Sequence, residues 1–268
     1  MTAYVARQAD AQGYIHYTDT EHQTWAFLMK RQLALLPGRA CQAYLKGLDI
    51  LNFPSHRIPQ LAEVNAKLLP ATGWRVTAVP ALIPFGQFFE LLANREFPAA
   101  TFIRRPEEMD YLQEPDIFHE LFGHCPLLTD PVFADFAQKY GELGLQATPK
   151  QRIYLARIFW YTVEFGLIQE QEGLRIYGAG ILSSPGETCY ALTDPSVVYH
   201  PFSLAQALRT PYRIDIYQPQ YFVIDSFSQI FSAMQPTILE AIAKAQQLGD
   251  FPARFPKKPP KDMTAHEC

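Results

Sequence analysis

Two histidines lie five residues apart in one short segment, and an acid directly follows the first of them. The segment reads PDIFHELFGH at 115–124 and contains His119, Glu120 and His124. The zinc-protease motif H-E-x-x-H, by contrast, has its histidines four residues apart. On a regular helix, at about 100° per residue, a spacing of five leaves the two imidazoles about 140° apart. If both histidines bind one metal ion, we therefore predict that the helix ends or widens near Gly123.

Glu164 is the candidate third ligand. It is the one acid in the apolar stretch 158–168, which lies within a predicted helix at 150–169. A buried carboxylate is costly unless it is paired or coordinated. Arg157 on the same helix face is about 10 Å away by helix rise, so the alternative is an ion pair with an arginine from elsewhere. Two imidazoles and one carboxylate with open coordination positions are typical of a non-haem iron(II) oxygenase, whereas a structural zinc site is closed and richer in thiolate.

The elements that must position these residues are mostly helical. Thr18 and Glu21 form the pattern of a capping box for a helix that ends before Pro37. Apolar spacing predicts further helices at 40–51, 59–69, 87–94, 131–143, 150–169 and 225–247, and short strands at 74–79, 100–104, 175–177 and 213–217. We therefore predict a mostly α protein with a few short β ribbons, not a βαβ alternation.

Composition narrows the class of protein. The chain has 268 residues, of which 48% are apolar, and a net charge of −4, which argues against nucleic-acid binding. We expect neither a membrane span nor an N-terminal signal peptide, because no apolar run is long enough to span a membrane and residues 1–8 contain no apolar core. The four cysteines are far apart, as expected for reduced thiols in a cytoplasmic protein. We expect one domain with a core at about 14–247 and a loosely ordered tail at 250–268.

Three motifs carry a family resemblance: PDIFHELFGH at 115–124, FWYTVEFGL at 159–167 and YGAGILSS at 177–184. Together they resemble the pterin-dependent aromatic amino acid hydroxylases, and the resemblance covers about 14–247. It implies a single catalytic domain of that type over 1–268. Animal members have an added regulatory domain and a tetramerisation helix, for which this length has no room, so a monomer is expected.

The resemblance also implies a set of site residues. His119, His124 and Glu164 would bind Fe(II). Glu120 and Asp116 are the catalytic candidates, Asp116 acting from behind the ligands. The cofactor is expected to be a tetrahydropterin (tetrahydrobiopterin or a bacterial equivalent), stacked on Phe88 with Glu120 close by. Arg104 would bind the substrate carboxylate, to which a guanidinium fork is well suited. The other residues expected at the substrate are Pro115, Trp160, Phe165, Gly180, Ser183 and Ile214.

Two positions depart from the pattern of the animal members. Leu112 stands where they have a threonine that assists with the substrate carboxylate, and Phe159 stands where they have a tyrosine. A different reading of the glycines at 178 and 180, as a dinucleotide-binding motif, is rejected because the third glycine and the βαβ context are missing. We expect instead a turn that lets the backbone approach the substrate.

The implied reaction is hydroxylation of L-phenylalanine to L-tyrosine with dioxygen and the reduced pterin. The tyrosine hydroxylases of the family carry an acid at the position of Ile214, and an apolar residue there leaves the hydroxyl of tyrosine without a partner. A tryptophan hydroxylase remains an alternative. From other classes, a zinc-dependent hydrolase with Glu120 as base is disfavoured by the histidine spacing, and a non-catalytic binding protein leaves the buried Glu164 unexplained.

Overall fold

The computed structural model describes residues 4–80, 83–110, 112 and 114–256, and within them the fold is mostly helical. This confirms the predicted fold class. The α-helices are α1 (Asp19–Leu35), α2 (Gln42–Leu51), α3 (Leu61–Thr72), α4 (Phe85–Ala93), α5 (Pro131–Gln146), α6 (Pro149–Phe159), α7 (Ala179–Leu182), α8 (Pro185–Thr193), α9 (Leu204–Arg209), α10 (Phe227–Ala233) and α11 (Ile238–Leu248). Two further segments, His119–His124 and Trp160–Glu164, are π-helical, and two short 3₁₀ turns occupy Pro106–Glu108 and Leu127–Thr129.

The strands form two small sheets. In the first, β1 (Arg75–Val79) pairs in parallel with β2 (Glu96–Ala100), and the register places Arg75 beside Glu96. The second contains β3 (Leu167–Glu170), β4 (Gly173–Ile176), β5 (Val198–Pro201) and β6 (Gln220–Ile224) in the order β4-β3-β6-β5. Strand β3 is antiparallel to β4 and parallel to β6, which also pairs in parallel with β5.

Most predicted helices are confirmed to within a few residues, and α1 begins at the predicted capping box of Thr18 and Glu21. The single helix predicted at 225–247 is wrong. It is divided into α10 and α11 around Pro236, because proline has no N–H and disfavours helical backbone at the residue before it. The helix predicted to run to residue 169 also ends early, at Glu164, because residues 167–170 form β3 instead and pair with β4 and β6.

Two of the four predicted strands are wrong, and side-chain hydrogen bonds explain both. The strand predicted at 74–79 is β1, and 175–177 overlaps β4. Of 100–104, only Ala100 belongs to a strand, as the last residue of β2, and the backbone N–H of Arg104 is bonded to the Asp116 carboxylate. At 213–217 there is no strand, because the carbonyls of Arg213 and Ile216 accept hydrogen bonds from the Gln218 side chain.

Buried aromatic side chains fill the core and support the segments that carry the histidines. Phe118 and Phe122 stack with their ring centroids 4.8 Å apart, and Trp25 meets Phe118 edge-on. Other fully buried large residues are Tyr44, Trp74, Phe89, Phe136 and Tyr140. Among the described residues, no helix combines the length and the apolar character that crossing a membrane requires.

Part of the predicted C-terminal tail is described. The backbone N–H of Phe251 donates to the carbonyl of Arg209, whose guanidinium lies 4.1 Å from the centroid of the Phe251 ring. The Arg213 side chain donates to the carbonyl of Pro256. Residues 250–256 therefore contact the domain, and the rest of the predicted tail, 257–268, lies outside the described residues.

Candidate metal centre and substrate pocket

The helix that carries the two histidines is widened. From His119 to His124 it is π-helical, so its backbone hydrogen bonds join residues five apart and bring such residues onto one face. As a result, Nε2 of His124 lies 3.0 Å from Nε2 of His119. The prediction that the helix widens is confirmed, and the widening covers the whole interval between the histidines, including Gly123.

Glu164 reaches the same point from a second π-helical segment, which follows α6. There the backbone N–H of Phe165 donates to the carbonyl of Trp160, five residues earlier, at 2.8 Å. The Glu164 carboxylate lies 3.3 Å from Nε2 of His124 and 3.7 Å from Nε2 of His119. In the described part of the chain no arginine or lysine forms an ion pair with Glu164, and Arg157 pairs with Asp250 instead. Three donor groups thus converge on one point.

Ser183 fixes which nitrogen of His119 can bind a metal. Its hydroxyl donates to the carbonyl of Ala179 at 2.9 Å and lies 2.8 Å from Nδ1 of His119. Since a serine hydroxyl has one proton, Ser183 accepts a hydrogen bond from Nδ1–H of His119. The lone pair of His119 is therefore on Nε2, the nitrogen that faces His124 and Glu164, which is the usual arrangement at a metal-binding histidine.

The electrostatics of the site suit a cation. Burial lowers the pKa of His119 to about 4, so its imidazole is neutral near pH 7, as a ligand must be. Burial opposes ionisation of Glu164, but His124 and His119 outweigh it and lower the pKa of that carboxyl. Glu120 lies with the histidines in a group whose donor atoms are within 4.8 Å of one another. Burial, and secondarily the charges of Glu164 and Asp116, raise the pKa of Glu120 well above its usual value.

Helix α7 packs between the two π-helical segments, and small residues make this possible. A Cβ at Gly178 would lie 2.4 Å from the carbonyl oxygen of Glu164, which is closer than any real contact. A Cβ at Gly123 would lie 3.0 Å from the carbonyl oxygen of Ala179. The glycines at 178 and 180 were expected to let the backbone approach the substrate. Gly180 does line the pocket, but Gly178 lets the backbone approach a metal-ligand candidate.

Arg104 and Asp116 form a buried ion pair directly behind the histidines. Nε and Nη2 of Arg104 donate to the two oxygens of Asp116 at 2.8 and 3.0 Å. Asp116 also accepts the backbone N–H groups of Arg104 and His119, each at 3.0 Å. In the described part of the structure Nη1 of Arg104 makes no hydrogen bond, and Arg104 lines the pocket. Asp116 thus holds Arg104 while one edge of the guanidinium stays available.

A pocket of about 1010 Å³ adjoins the three donor groups, at the upper end of the range typical for small-molecule sites. It brings together nearly all of the predicted site residues: Phe88, Arg104, Pro115, His119, Glu120, His124, Trp160, Glu164, Phe165, Gly180, Ser183 and Ile214. Asp116 is the exception, since it is fully buried behind Arg104. Leu112 and Phe159, the two departures from the family pattern, also line the pocket.

Sequence reasoning missed several residues at this pocket. Tyr212, Tyr217 and Glu187 are among those that line it, and Gln218 lies behind it, bonded to Trp160. Glu187 follows Ser184 at the spacing of a helix cap, which explains why it reads as a structural acid. Nothing local in the sequence marks Gln218, because Trp160 and Glu187, which tie it to the rest of the fold, are distant in the chain.

The donor set fits a particular metal. Two imidazoles and one carboxylate, beside a large open pocket, match the ligand set of non-haem iron(II) oxygenases and differ from a closed, thiolate-rich zinc site. The family model for biopterin-dependent aromatic amino acid hydroxylases matches residues 1–248. The chain belongs to this family.

Individual relatives are similar over nearly their whole length. The phenylalanine-4-hydroxylase of Pseudomonas aeruginosa is 56% identical over 257 residues, covering 96% of this chain and 98% of that one. The apo structure of the cold-active phenylalanine hydroxylase from Colwellia psychrerythraea 34H superposes with a TM-score of 0.92 at 50% identity, over 94% of this chain and 97% of that one. The Chromobacterium violaceum phenylalanine hydroxylase, solved with iron(III) and 7,8-dihydrobiopterin, superposes with a TM-score of 0.85 at 47% identity, over 91% of this chain and 90% of that one.

Proposed function

We propose that this chain is a phenylalanine 4-monooxygenase, which converts L-phenylalanine to L-tyrosine with dioxygen and a tetrahydropterin at a non-haem Fe(II) site. The observation that carries the proposal is the convergence of His119, His124 and Glu164 beside a pocket that also contains Arg104. The relatives described above are named phenylalanine hydroxylases, which supports phenylalanine over tryptophan as the substrate.

In this proposal the Nε2 atoms of His119 and His124 and the carboxylate of Glu164 hold the iron. Ser183 keeps the His119 proton on Nδ1 and so keeps the Nε2 lone pair available. Three protein ligands leave coordination positions open. When bound, the iron and the reduced pterin together supply the electrons that activate dioxygen for transfer of one oxygen atom to the ring.

The remaining residues bind and orient the two organic molecules. Nη1 of Arg104 binds the substrate carboxylate, and Asp116 orients the guanidinium from behind. Phe88 stacks on the pterin, while Glu120 lies close enough to contact the pterin or its water. The walls around the substrate ring are Pro115, Trp160, Phe165, Gly180 and Ile214. Leu112 offers no hydroxyl to the carboxylate, so Arg104 carries more of that contact here.

The preference for phenylalanine over tyrosine is assigned to Ile214, which lines the pocket and is 54% exposed. An acid there would give a tyrosine hydroxyl a hydrogen-bond partner. Ile214→Asp is therefore expected to raise the relative activity on tyrosine. An unchanged ratio would remove this residue from the specificity determinants.

The test of the whole proposal is one turnover assay. Purified protein, Fe(II), a tetrahydropterin, oxygen and L-phenylalanine are mixed, and tyrosine is measured by chromatography, with a chelated control. We expect tyrosine that depends on both iron and pterin, and loss of both iron binding and coupled turnover in Glu164→Ala. Iron binding without tyrosine would point to tryptophan as the substrate, and near-normal iron affinity in Glu164→Ala would refute the ligand assignment.

We further propose that the enzyme works as a monomer in the cytoplasm. The scattered cysteines support a reducing compartment: Cys41 and Cys125 are buried as free thiols. Light scattering during size-exclusion chromatography should give a mass near 30.5 kDa. A stable dimer mass would contradict the monomer.

A further inference from the structure

The indole of Trp160, one wall of the pocket, contacts both ends of a single irregular segment, residues 212–218. At one end it stacks on Tyr212, with ring centroids 4.4 Å apart and planes 16° from parallel. At the other end its Nε1–H donates to Oε1 of Gln218 at 3.1 Å. Between these ends lie Ile214 and Tyr217, which line the same pocket. The segment therefore curves around the indole.

Gln218 also closes the 212–218 segment on itself. Its side-chain Nε2 donates to the carbonyls of Arg213 and Ile216, each at 2.9 Å, while Oε1 accepts the Trp160 indole. Both donor protons and the acceptor oxygen of this amide are thus in use. Gln218 is only 2% exposed, so each lost bond would leave a buried polar group without a partner. Arg213 in turn forms a bidentate pair with Asp215.

Glu187 anchors Gln218 to helix α8. Its Oε1 accepts the backbone N–H of Gln218 at 2.9 Å and the phenol hydroxyl of Tyr221, which lies on β6. The segment is consequently fixed at a point that does not depend on Trp160. Helix α8 and strand β6 thus hold Gln218 in place through Glu187. The side-chain amide of Gln218 in turn holds the indole of Trp160 and the two backbone carbonyls of the segment.

We propose that Gln218 is a specificity-determining positioning residue, which sets the distance between Trp160 and the segment that carries Ile214. This inference rests on the proposed function, since it assigns a role within the binding of the aromatic substrate. By fixing these two adjoining walls of the pocket, Gln218 limits the space for the substrate ring and so favours L-phenylalanine over the larger L-tryptophan. Gln218 does not line the pocket, so it acts through Trp160 and the 212–218 segment.

The test is a double-mutant cycle on the Fe(II) enzyme. Gln218→Met keeps the length of the side chain but removes all three hydrogen bonds, and Trp160→Phe removes the indole N–H. The readouts are kcat/KM for L-phenylalanine and, without oxygen and with the pterin present, the dissociation constants of L-phenylalanine and L-tryptophan by calorimetry. The preference for L-phenylalanine is the ratio of the L-tryptophan dissociation constant to the L-phenylalanine dissociation constant. Gln218→Met should reduce this ratio by about tenfold, the effect of losing one or two buried hydrogen bonds.

The cycle distinguishes a positioning role from a structural one. In the Trp160→Phe background, Gln218→Met should change the preference by clearly less than it does in the wild type, because the shared bond is already lost. Effects that multiply would overturn the proposal. The matched control is Gln60→Met, since Gln60 is also buried and clamps a loop through both side-chain atoms, to the backbone of Ile15, away from the pocket. It should lower stability without changing the preference.

A second variant keeps the test decisive if Gln218→Met does not fold. Gln218→Glu retains an acceptor for the Trp160 indole but loses both donors to the segment. It should reduce the preference while retaining coupling to Trp160→Phe, and a wild-type preference in this folded variant would overturn the proposal. Wild-type protein that forms no tyrosine refutes the proposed function, whereas wild-type turnover with an unaltered preference in the Gln218 variants refutes this inference alone.

Discussion

Asp116→Asn tests whether the buried ion pair behind the histidines joins substrate binding to the metal centre. The Asp116 carboxylate is fully buried and accepts four hydrogen bonds, three from Arg104 and one from the backbone of His119. An asparagine has the same shape but only one acceptor oxygen, and its NH₂ group would face donors. The substitution also leaves Arg104, a residue only 6% exposed, without a counter-charge.

The size of the effect follows from this burial. Breaking a buried pair from one side costs about 3–5 kcal/mol, because the remaining charge is uncompensated. For a chain of this length each kcal/mol lowers Tm by about 2 °C, so we expect a loss of about 6–10 °C. Burial opposes ionisation of Asp116, but Arg104 outweighs it and lowers the pKa of that carboxyl. On acidification the wild-type ion pair therefore persists to a pH below the usual pKa of aspartate.

The assay is thermal unfolding at neutral pH, with KM for L-phenylalanine measured alongside. The matched control is Asp250→Asn, which breaks a bidentate pair with Arg157 in which the Asp250 side chain is 43% exposed. Such exposed pairs contribute about 0–1 kcal/mol, so this control should lower Tm by no more than about 2 °C and leave KM unchanged. The reasoning is refuted if Asp116→Asn lowers Tm no more than Asp250→Asn, or leaves KM unaltered.

Three further predictions concern the supporting residues. Ser183→Ala should weaken Fe(II) binding, measured by titration, about 10–100-fold, and unchanged affinity would show that the hydroxyl does not fix the tautomer. Gly178→Ala should cost about 1–3 kcal/mol of stability in denaturant unfolding, whereas Gly86→Ala, with its nearest neighbour at 3.7 Å, should not. Burial raises the pKa of Glu187 from 4.5 to about 7, so folded protein binds an extra proton between these values and loses stability as pH rises through them. As the pH rises from about 5 to about 8, the free energy of unfolding of Glu187→Gln should therefore rise by about 3 kcal/mol relative to that of the wild type. A difference between the two proteins that does not change with pH would contradict this assignment.

The sequence predicted the widened helix at the histidines because two candidate ligands lie in one segment, where their spacing can be compared with a regular helix. The same reasoning could not find the second widened segment, because Glu164 is the only candidate ligand there and a regular helix was predicted to continue to residue 169. The early end of that helix depends on β3, whose partners β4 and β6 lie elsewhere in the chain. Local periodicity does not contain such information.

The pocket residues divide in the same way. Those inside the three motifs were found by resemblance, and the pocket brings them together. Gln218 could not be found, because its importance comes from contacts with Trp160 and Glu187 that only the fold creates. The strand wrongly predicted at 213–217 has the same origin: alternating residues were interpreted without the side-chain amide that occupies the carbonyls.

Both segments that carry the metal-ligand candidates are π-helical, and their geometry is held by contacts that involve no metal. The carbonyl of Ala179 lies against Gly123 on one segment and accepts the Ser183 hydroxyl that orients His119. The neighbouring Gly178 packs on the backbone of Glu164 in the other. One turn of chain thus sets the separation of the two segments and the tautomer of one ligand. Because π-helical turns are rare and have to be stabilised by their surroundings, this packing explains why the glycines and the serine occur together in the motif at 177–184.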